Sequence, residues 1–113
     1  MIKQQYLYNA MVTDVYDGDT LTVDIDLGLC VWVRGEKLRL HRINAPELRG
    51  EERPQGLESR DWLRERVLDQ CVVIKTIRDK KGKYGRYLAE IWLGDENIND
   101  ALVSHGMAEY KEY

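Results

Sequence analysis

Two carboxylates, Asp17 and Asp19, flank a single glycine in the stretch Val-Tyr-Asp-Gly-Asp-Thr, residues 15–20, directly before an alternating apolar run. Ionised together they repel, so their spacing needs a physical reason. One is a tight turn, since Asp and Gly are ordinary turn residues. The other is a hard cation, which takes carboxylate and carbonyl oxygens as ligands and can be approached closely by backbone at a glycine. Cationic residues gather in two places, Arg34, Arg39, Arg42, Arg49 and Arg53 in one and Arg78, Lys80, Lys81, Lys83 and Arg86 in the other. Such groups are usually solvated faces. They are also the material of a local phosphate site, because guanidinium offers a planar fork matched to phosphate oxygens and keeps its charge.

The elements that would position these residues follow from periodicity. Residues 11–16 read as a strand leading into the Asp-Gly-Asp corner. Residues 20–27 alternate strictly, with Leu21, Val23, Ile25 and Leu27 on one face and Thr22, Asp24 and Asp26 on the other, the pattern of a half-buried strand. The runs Cys-Val-Trp-Val (30–33) and 37–43 read as the next strand or strand pair, interrupted at Arg34-Gly35, with Leu38 and Leu40 inward and Arg39 and His41 outward. Residues 44–56 carry Pro, Gly and charge and read as a loop, after which Ser59, Leu63 and Val67, with Trp62 beside them, take helical spacing. Residues 71–77 form a continuously apolar strand, 78–86 a turn, and 87–93 a further strand. A last helix is capped near Asn97 and stopped at Gly106. Five strands with one helix after the third and one after the fifth predict a small closed β-barrel with helices, an α+β chain in the order of an OB-fold.

Composition sets the outer limits. The 113 residues suit a single domain, 1–113, with one core. No apolar run reaches membrane-spanning length, so no membrane partner is expected. The N-terminus lacks the apolar stretch of a secretory signal, which implies a cytoplasmic location if Met1 is the native start. Cys30 and Cys71 sit in apolar runs far apart and read as buried free thiols. With 17 Lys+Arg against 20 Asp+Glu and a net charge of −3, the chain is not held on nucleic acid by charge alone. His41 and His105 lack partners at motif spacing, and Trp32, Trp62 and Trp92 read as core or rim packing.

Taken together, Asp17-Gly18-Asp19-Thr20, Arg39 within Leu-Arg-Leu, Asn44-Ala45-Pro46-Glu47 and Lys83-Tyr84-Gly85-Arg86 resemble the staphylococcal (thermonuclease) nuclease family, calcium-dependent phosphodiesterases on an OB-fold. The resemblance runs from about Met11 to Met107 and includes residues 99–108, similar to the family's asparagine-acidic-Ala-Leu-Val helix segment. Phosphodiester hydrolysis needs charge neutralised at the phosphorus centre and a nucleophile made from water. Carried over by resemblance, Asp19 is the principal calcium ligand, Asp17 a nearby supporting carboxylate and the Ala45 carbonyl a further ligand. Glu47 is similar to the proposed general base, Arg39 and Arg86 to the phosphate-binding arginines, and Lys83 and Tyr84 to residues that contact the nucleotide.

The chain departs from the family at Asn44, where the family has a metal-binding Asp; the amide keeps a carbonyl ligand and loses a charge, which lowers calcium affinity and admits other divalent cations. The segment 24–37 is longer than the family's and predicts an extended hairpin for oligomerisation or substrate contact. The chain also stops at Tyr113, before the family's usual final helix, leaving Tyr110 and Tyr113 as packing or tail residues. The expected function is a calcium-dependent nuclease of little sequence specificity, acting on DNA and RNA as endo- or exonuclease and leaving 3′-phosphate ends. Its alternative is a catalytically weakened module of the same family that binds nucleic acid or protein. A generic single-strand binder would show basic and aromatic residues interleaved on one face, and the sequence does not.

Overall fold

A computed structural model describes residues 6–81 and 86–111, with the side chains of residues 78–81 left undescribed. Its elements in chain order are β1 (Leu7–Asp17), β2 (Thr20–Asp26), β3 (Trp32–Leu40), β4 (Ile43–Asn44), a 3-10 turn (Gly50–Glu52), α1 (Arg53–Val67), β5 (Cys71–Lys81), β6 (Tyr87–Leu93), β7 (Glu96–Asn97), α2 (Ile98–Ser104) and β8 (Glu109–Tyr110). The barrel closes because β1 is shared. Its first half pairs with β5, from Leu7 opposite Lys75 to Met11 opposite Cys71, and it pairs along its length with β2. Irregularities in register between Val12 and Asp14, and between Val15 and Asp17, let the strand curl as it passes from one partner to the other. The ring β1-β2-β3-β6-β5 is sealed by the parallel pairing of Leu38–Leu40 with Tyr87–Ala89. This five-stranded barrel with two helices is the expected OB-fold.

Alternation decides what goes inside. Val12, Val15, Leu21, Val23, Leu38, Leu40, Ile74 and Ile91 are fully buried in the barrel. On α1, which packs on β1, Gly56, Ser59, Leu63 and Val67 form the buried stripe, the spacing read from the sequence extended one turn earlier. That helix starts at Arg53, inside the stretch expected to be loop, because Pro54 is tolerated where the first turn leaves N–H groups unpaired. Around α2 the expectation holds: the Asn97 side chain accepts from the Asp100 N–H at 2.9 Å, and Gly106 takes a positive φ of 74° just past the end.

Three other expectations need correction. Leu27 is exposed, since β2 ends at Asp26 and the hairpin turns there. The strand β3 runs unbroken through Arg34-Gly35; Gly35 takes a φ of 68°, and the slipped Asp24 accepts its N–H at 2.9 Å and Arg34 at 3.0 Å. Both cysteines are free and exposed, Cys30 in the tight turn of the hairpin and Cys71 on the outward side at the start of β5. An apolar neighbourhood in sequence does not bury a residue that alternation points outward.

Two glycines bring α1 against the loops that carry the acidic residues. A Cβ on Gly18 would lie 2.7 Å from the Ala45 Cβ and 2.8 Å from the Ser59 Cβ. A Cβ on Gly56 would overlap the backbone carbonyl of Glu47. Gly56→Ala is therefore expected to destabilise the fold by about 1–3 kcal/mol, since backbone cannot yield as a side chain can, outweighing the gain of at most about 1 kcal/mol in helix propensity. Urea unfolding checks this: a lower midpoint is expected, and an unchanged or higher one would mean the Glu47 backbone is not clamped by the helix.

Candidate active site

Asp17 closes β1 and Asp19 follows it in the corner before β2, so strand pairing sets both at the rim of the barrel. The Asp17 Oδ1 accepts the Asp19 N–H at 3.0 Å, the local bond of an Asx turn. The turn reading of these residues is thus correct, and it leaves Asp19 turned inward. Asp19 is 6% exposed, and its Oδ2 accepts the Ala45 N–H at 2.8 Å and faces Arg39 Nη2 at 3.2 Å. Its Oδ1 accepts the Thr20 hydroxyl at 3.3 Å, and that hydroxyl in turn accepts from Arg86 Nη1 at 2.8 Å. Arg39 is anchored by donating from Nη1 to the carbonyls of Leu40 at 2.7 Å and Ile43 at 3.1 Å. Its Nη2 also reaches Asn44 Oδ1, at 3.4 Å.

The Asp17 and Asp19 carboxylates and the Arg39 and Arg86 guanidiniums line one cleft of about 560 Å³ with Glu47. Of the residues singled out in the sequence, the cleft brings together Asp17, Asp19, Arg39, Asn44, Ala45, Glu47 and Arg86. Lys83 and Tyr84 lie outside the described residues. Tyr16, Leu48 and Arg49 also line the cleft, and Thr20 links Arg86 to Asp19; none of the four had been assigned a role. Alternation about the Asp-Gly-Asp corner could have flagged Tyr16, which leaves the barrel on the same strand. Arg49 could have been flagged by its position two residues beyond Glu47 in an extended loop; its Nε meets Glu47 Oε2 at 3.3 Å with both side chains largely in water. A pair so exposed holds Glu47 by well under about 1 kcal/mol and leaves it available to substrate.

Burial first, and the Asp19 charge second, push the Asp17 carboxyl up to about 6 from its ordinary value of 3.8. An Asp17 carboxyl held back from ionising by burial and by a neighbouring negative charge suits a cation. The donor set is two carboxylates, the Asn44 amide oxygen and backbone carbonyl, all hard oxygen ligands of the kind calcium or magnesium takes. Among the described residues no group of three or more His, Cys, Asp or Glu side chains is placed to hold a metal. Any ion here therefore depends on the amide, backbone, water and substrate oxygens to complete its shell.

The sequence family described as staphylococcal nuclease homologue matches residues 37–113. The chain belongs to the staphylococcal nuclease family. It is 34% identical over 106 residues to a thermonuclease of Staphylococcus intermedius, covering 91% of this chain and 60% of that protein. It is 33% identical over 105 residues to a thermonuclease of Staphylococcus hyicus, covering 90% and 59%. An uncharacterized endonuclease of Haemophilus influenzae is 35% identical over 103 residues, covering 90% and 52%. The chain thus spans between half and three-fifths of the length of these relatives. The family match begins at Lys37, beyond the Asp-Gly-Asp corner, whereas the pairwise similarity covers nine-tenths of the chain.

The Asp17 shift gives a signed prediction. Because its folded pKa exceeds the unfolded one, ionising Asp17 opposes folding; the penalty is absent below about pH 4 and fully present above about pH 6. Water reaches part of the carboxyl, which holds the penalty to the order of 1 kcal/mol. Asp17→Asn keeps the turn acceptor and is expected to melt above wild type at pH 8 in EDTA, the difference vanishing near pH 4. Calcium is expected to raise the wild-type melting temperature more than that of the variant. A variant less stable than wild type at pH 8 in EDTA would contradict the crowding of these carboxylates.

Proposed function

We propose that the cleft is the active site of a calcium-dependent nuclease that hydrolyses phosphodiester bonds of DNA and RNA with little sequence preference. The observation that carries this reading is the convergence of two guanidiniums, Arg39 and Arg86, with Asp17, Asp19 and Glu47 in one open cleft. The two thermonuclease relatives support it. Asp19, Asp17, Asn44 and the Ala45 carbonyl are the residues that would hold the cation, which when bound neutralises charge on the phosphate oxygens and lowers the pKa of nearby water.

The protein's own groups do the rest. Arg39, held rigid by two backbone carbonyls, and Arg86, aimed by the Thr20 hydroxyl, take the phosphate oxygens on which charge grows. Such fixed donors need no rearrangement as the reaction proceeds. Glu47, exposed at the mouth, takes the proton of the attacking water. The bond to the 5′ oxygen breaks, leaving a 3′-phosphate and a 5′-hydroxyl. Among the described residues, the side chains lining the cleft are carboxylates, guanidiniums, an amide and Tyr16, Ala45 and Leu48, a set that meets phosphate rather than base edges, in keeping with low specificity.

Asn44 favours a second reading, a module that binds nucleic acid or protein without cleaving. One substitution separates the two. Glu47→Gln is expected to lower the cleavage rate of single-stranded DNA by about 10²–10⁴-fold, the usual worth of a positioned base, with oligonucleotide affinity within a few-fold of wild type. Mass spectrometry of the wild-type products is expected to show 3′-phosphate ends. An unchanged rate would remove Glu47 from the chemistry, and a wild type that binds but never cleaves would establish the binding module.

A further inference from the structure

A second groove, of about 280 Å³, opens beside the cleft and shares Tyr16 and Arg86 with it. Its floor is a row across three strands: Asp14 on β1 stands opposite Thr22 on β2, and Thr22 opposite Lys37 on β3. Two strand spacings separate the ends of that row, about 10 Å. Tyr16 stands at the junction, 64% exposed among the described residues. Resting on the nuclease reading above, we propose that this groove is a subsite for the nucleotide next to the scissile phosphate. Tyr16 carries that nucleotide's base and Lys37 meets the following phosphate.

The chemistry distinguishes the two ends of the groove. A phosphodiester chain leaving Arg86 must continue along one wall or the other, and consecutive phosphates in single strands lie one nucleotide apart. Lys37 is exposed on β3, two residues before Arg39 on the same face, so it continues the line of positive charge away from the cleft. Asp14 at the opposite end repels phosphate and leaves that side to the base. An exposed tyrosine ring at the junction is the stacking surface such a base needs, and stacking accepts any base. The Thr22 hydroxyl, half-buried between the two ends, offers a polar contact to either sugar or base. The arrangement extends the site along a chain without adding sequence selectivity.

Fluorescently labelled thymidine oligomers of two to eight nucleotides, titrated in EDTA so that nothing is cut, test the subsite directly. Wild-type affinity is expected to step up once the oligomer is long enough to fill the groove. Tyr16→Ala is expected to remove that step, a loss of about tenfold or more, while Tyr16→Phe keeps it and shows that the ring, not the fold, is responsible. Lys37→Gln is expected to make the slope of log affinity against log salt shallower by about 0.7, the value for one phosphate contact on a single strand. Equal affinities of wild type and Tyr16→Ala for every length, or an unchanged salt slope for Lys37→Gln, would overturn the subsite. Cleavage assays run on the same proteins report separately on the nuclease reading: a wild type that shows the length step but does not cut loses the activity and keeps the groove.

Discussion

One buried carboxylate ties the site together. Asp19, 6% exposed, cannot stay ionised out of water without partners, and it has them on every side: the Ala45 N–H, the Thr20 hydroxyl and the Arg39 guanidinium. Each partner belongs to a different piece of the fold. Thr20 opens β2, Arg39 lies on β3, and Ala45 begins the loop that carries Glu47. The charge of Asp19 therefore fixes the relative placement of three segments, and through Thr20 it reaches Arg86 next to β6. Removing the carboxylate would take an acceptor from the Thr20 hydroxyl and the Ala45 N–H and an ion-pair partner from Arg39 at once. The barrel supplies the stiffness that makes these bonds geometry rather than chance.

The same arrangement sets the electrostatics. Asp17, Asp19 and Glu47 bring three negative charges to the cleft, and Arg39, Arg86 and Arg49 bring three positive ones. A cation entering here competes with Arg39 for Asp19, and Asn44 gives it an amide where a carboxylate would add a full charge. On the proposed reading, the affinity of the site falls by about one to two decades for that missing charge, as changes around metal ligands commonly do. A phosphate entering with the cation restores the balance, because it takes up the guanidiniums while the ion takes up the carboxylates. Cation and substrate are then expected to bind cooperatively.

Much of this was legible in the chain. The strict alternation read over residues 20–27, the apolar stripe Ser59-Leu63-Val67 and the cap at Asn97 are local patterns, and each appears where periodicity placed it except at Leu27, beyond the end of β2. Local patterns fail where the deciding contact is distant. Gly56 reads as a loop residue until its close approach to the Glu47 backbone is seen, a contact that periodicity does not reveal. Gly35 reads as a break until Asp24, eleven residues earlier, is seen to hold it as a bulge within a continuous strand. Cys30 and Cys71 sit among apolar neighbours and yet face outward, because the turn and the pleat decide facing, not the neighbourhood. Beside the cleft, Thr20 takes its place through Arg86, 66 residues further on, which only folding brings to its hydroxyl. Of the nine residues given roles by the family resemblance, seven line one cleft, since strand ends in a closed barrel meet at its rim, and Lys83 and Tyr84 lie outside the described residues.

The central claim is that this cleft cuts phosphodiesters with a cation whose binding Asn44 weakens. Its most direct test is cleavage of denatured DNA across a calcium series, against EDTA, with Asn44→Asp measured alongside. The account predicts that wild type cuts only when calcium is present, that EDTA abolishes the cutting, and that Asn44→Asp reaches half-maximal rate at a calcium concentration about tenfold or more lower. Cutting that persists in EDTA would contradict the role of the cation. No cutting by either protein under any divalent cation would contradict the claim itself.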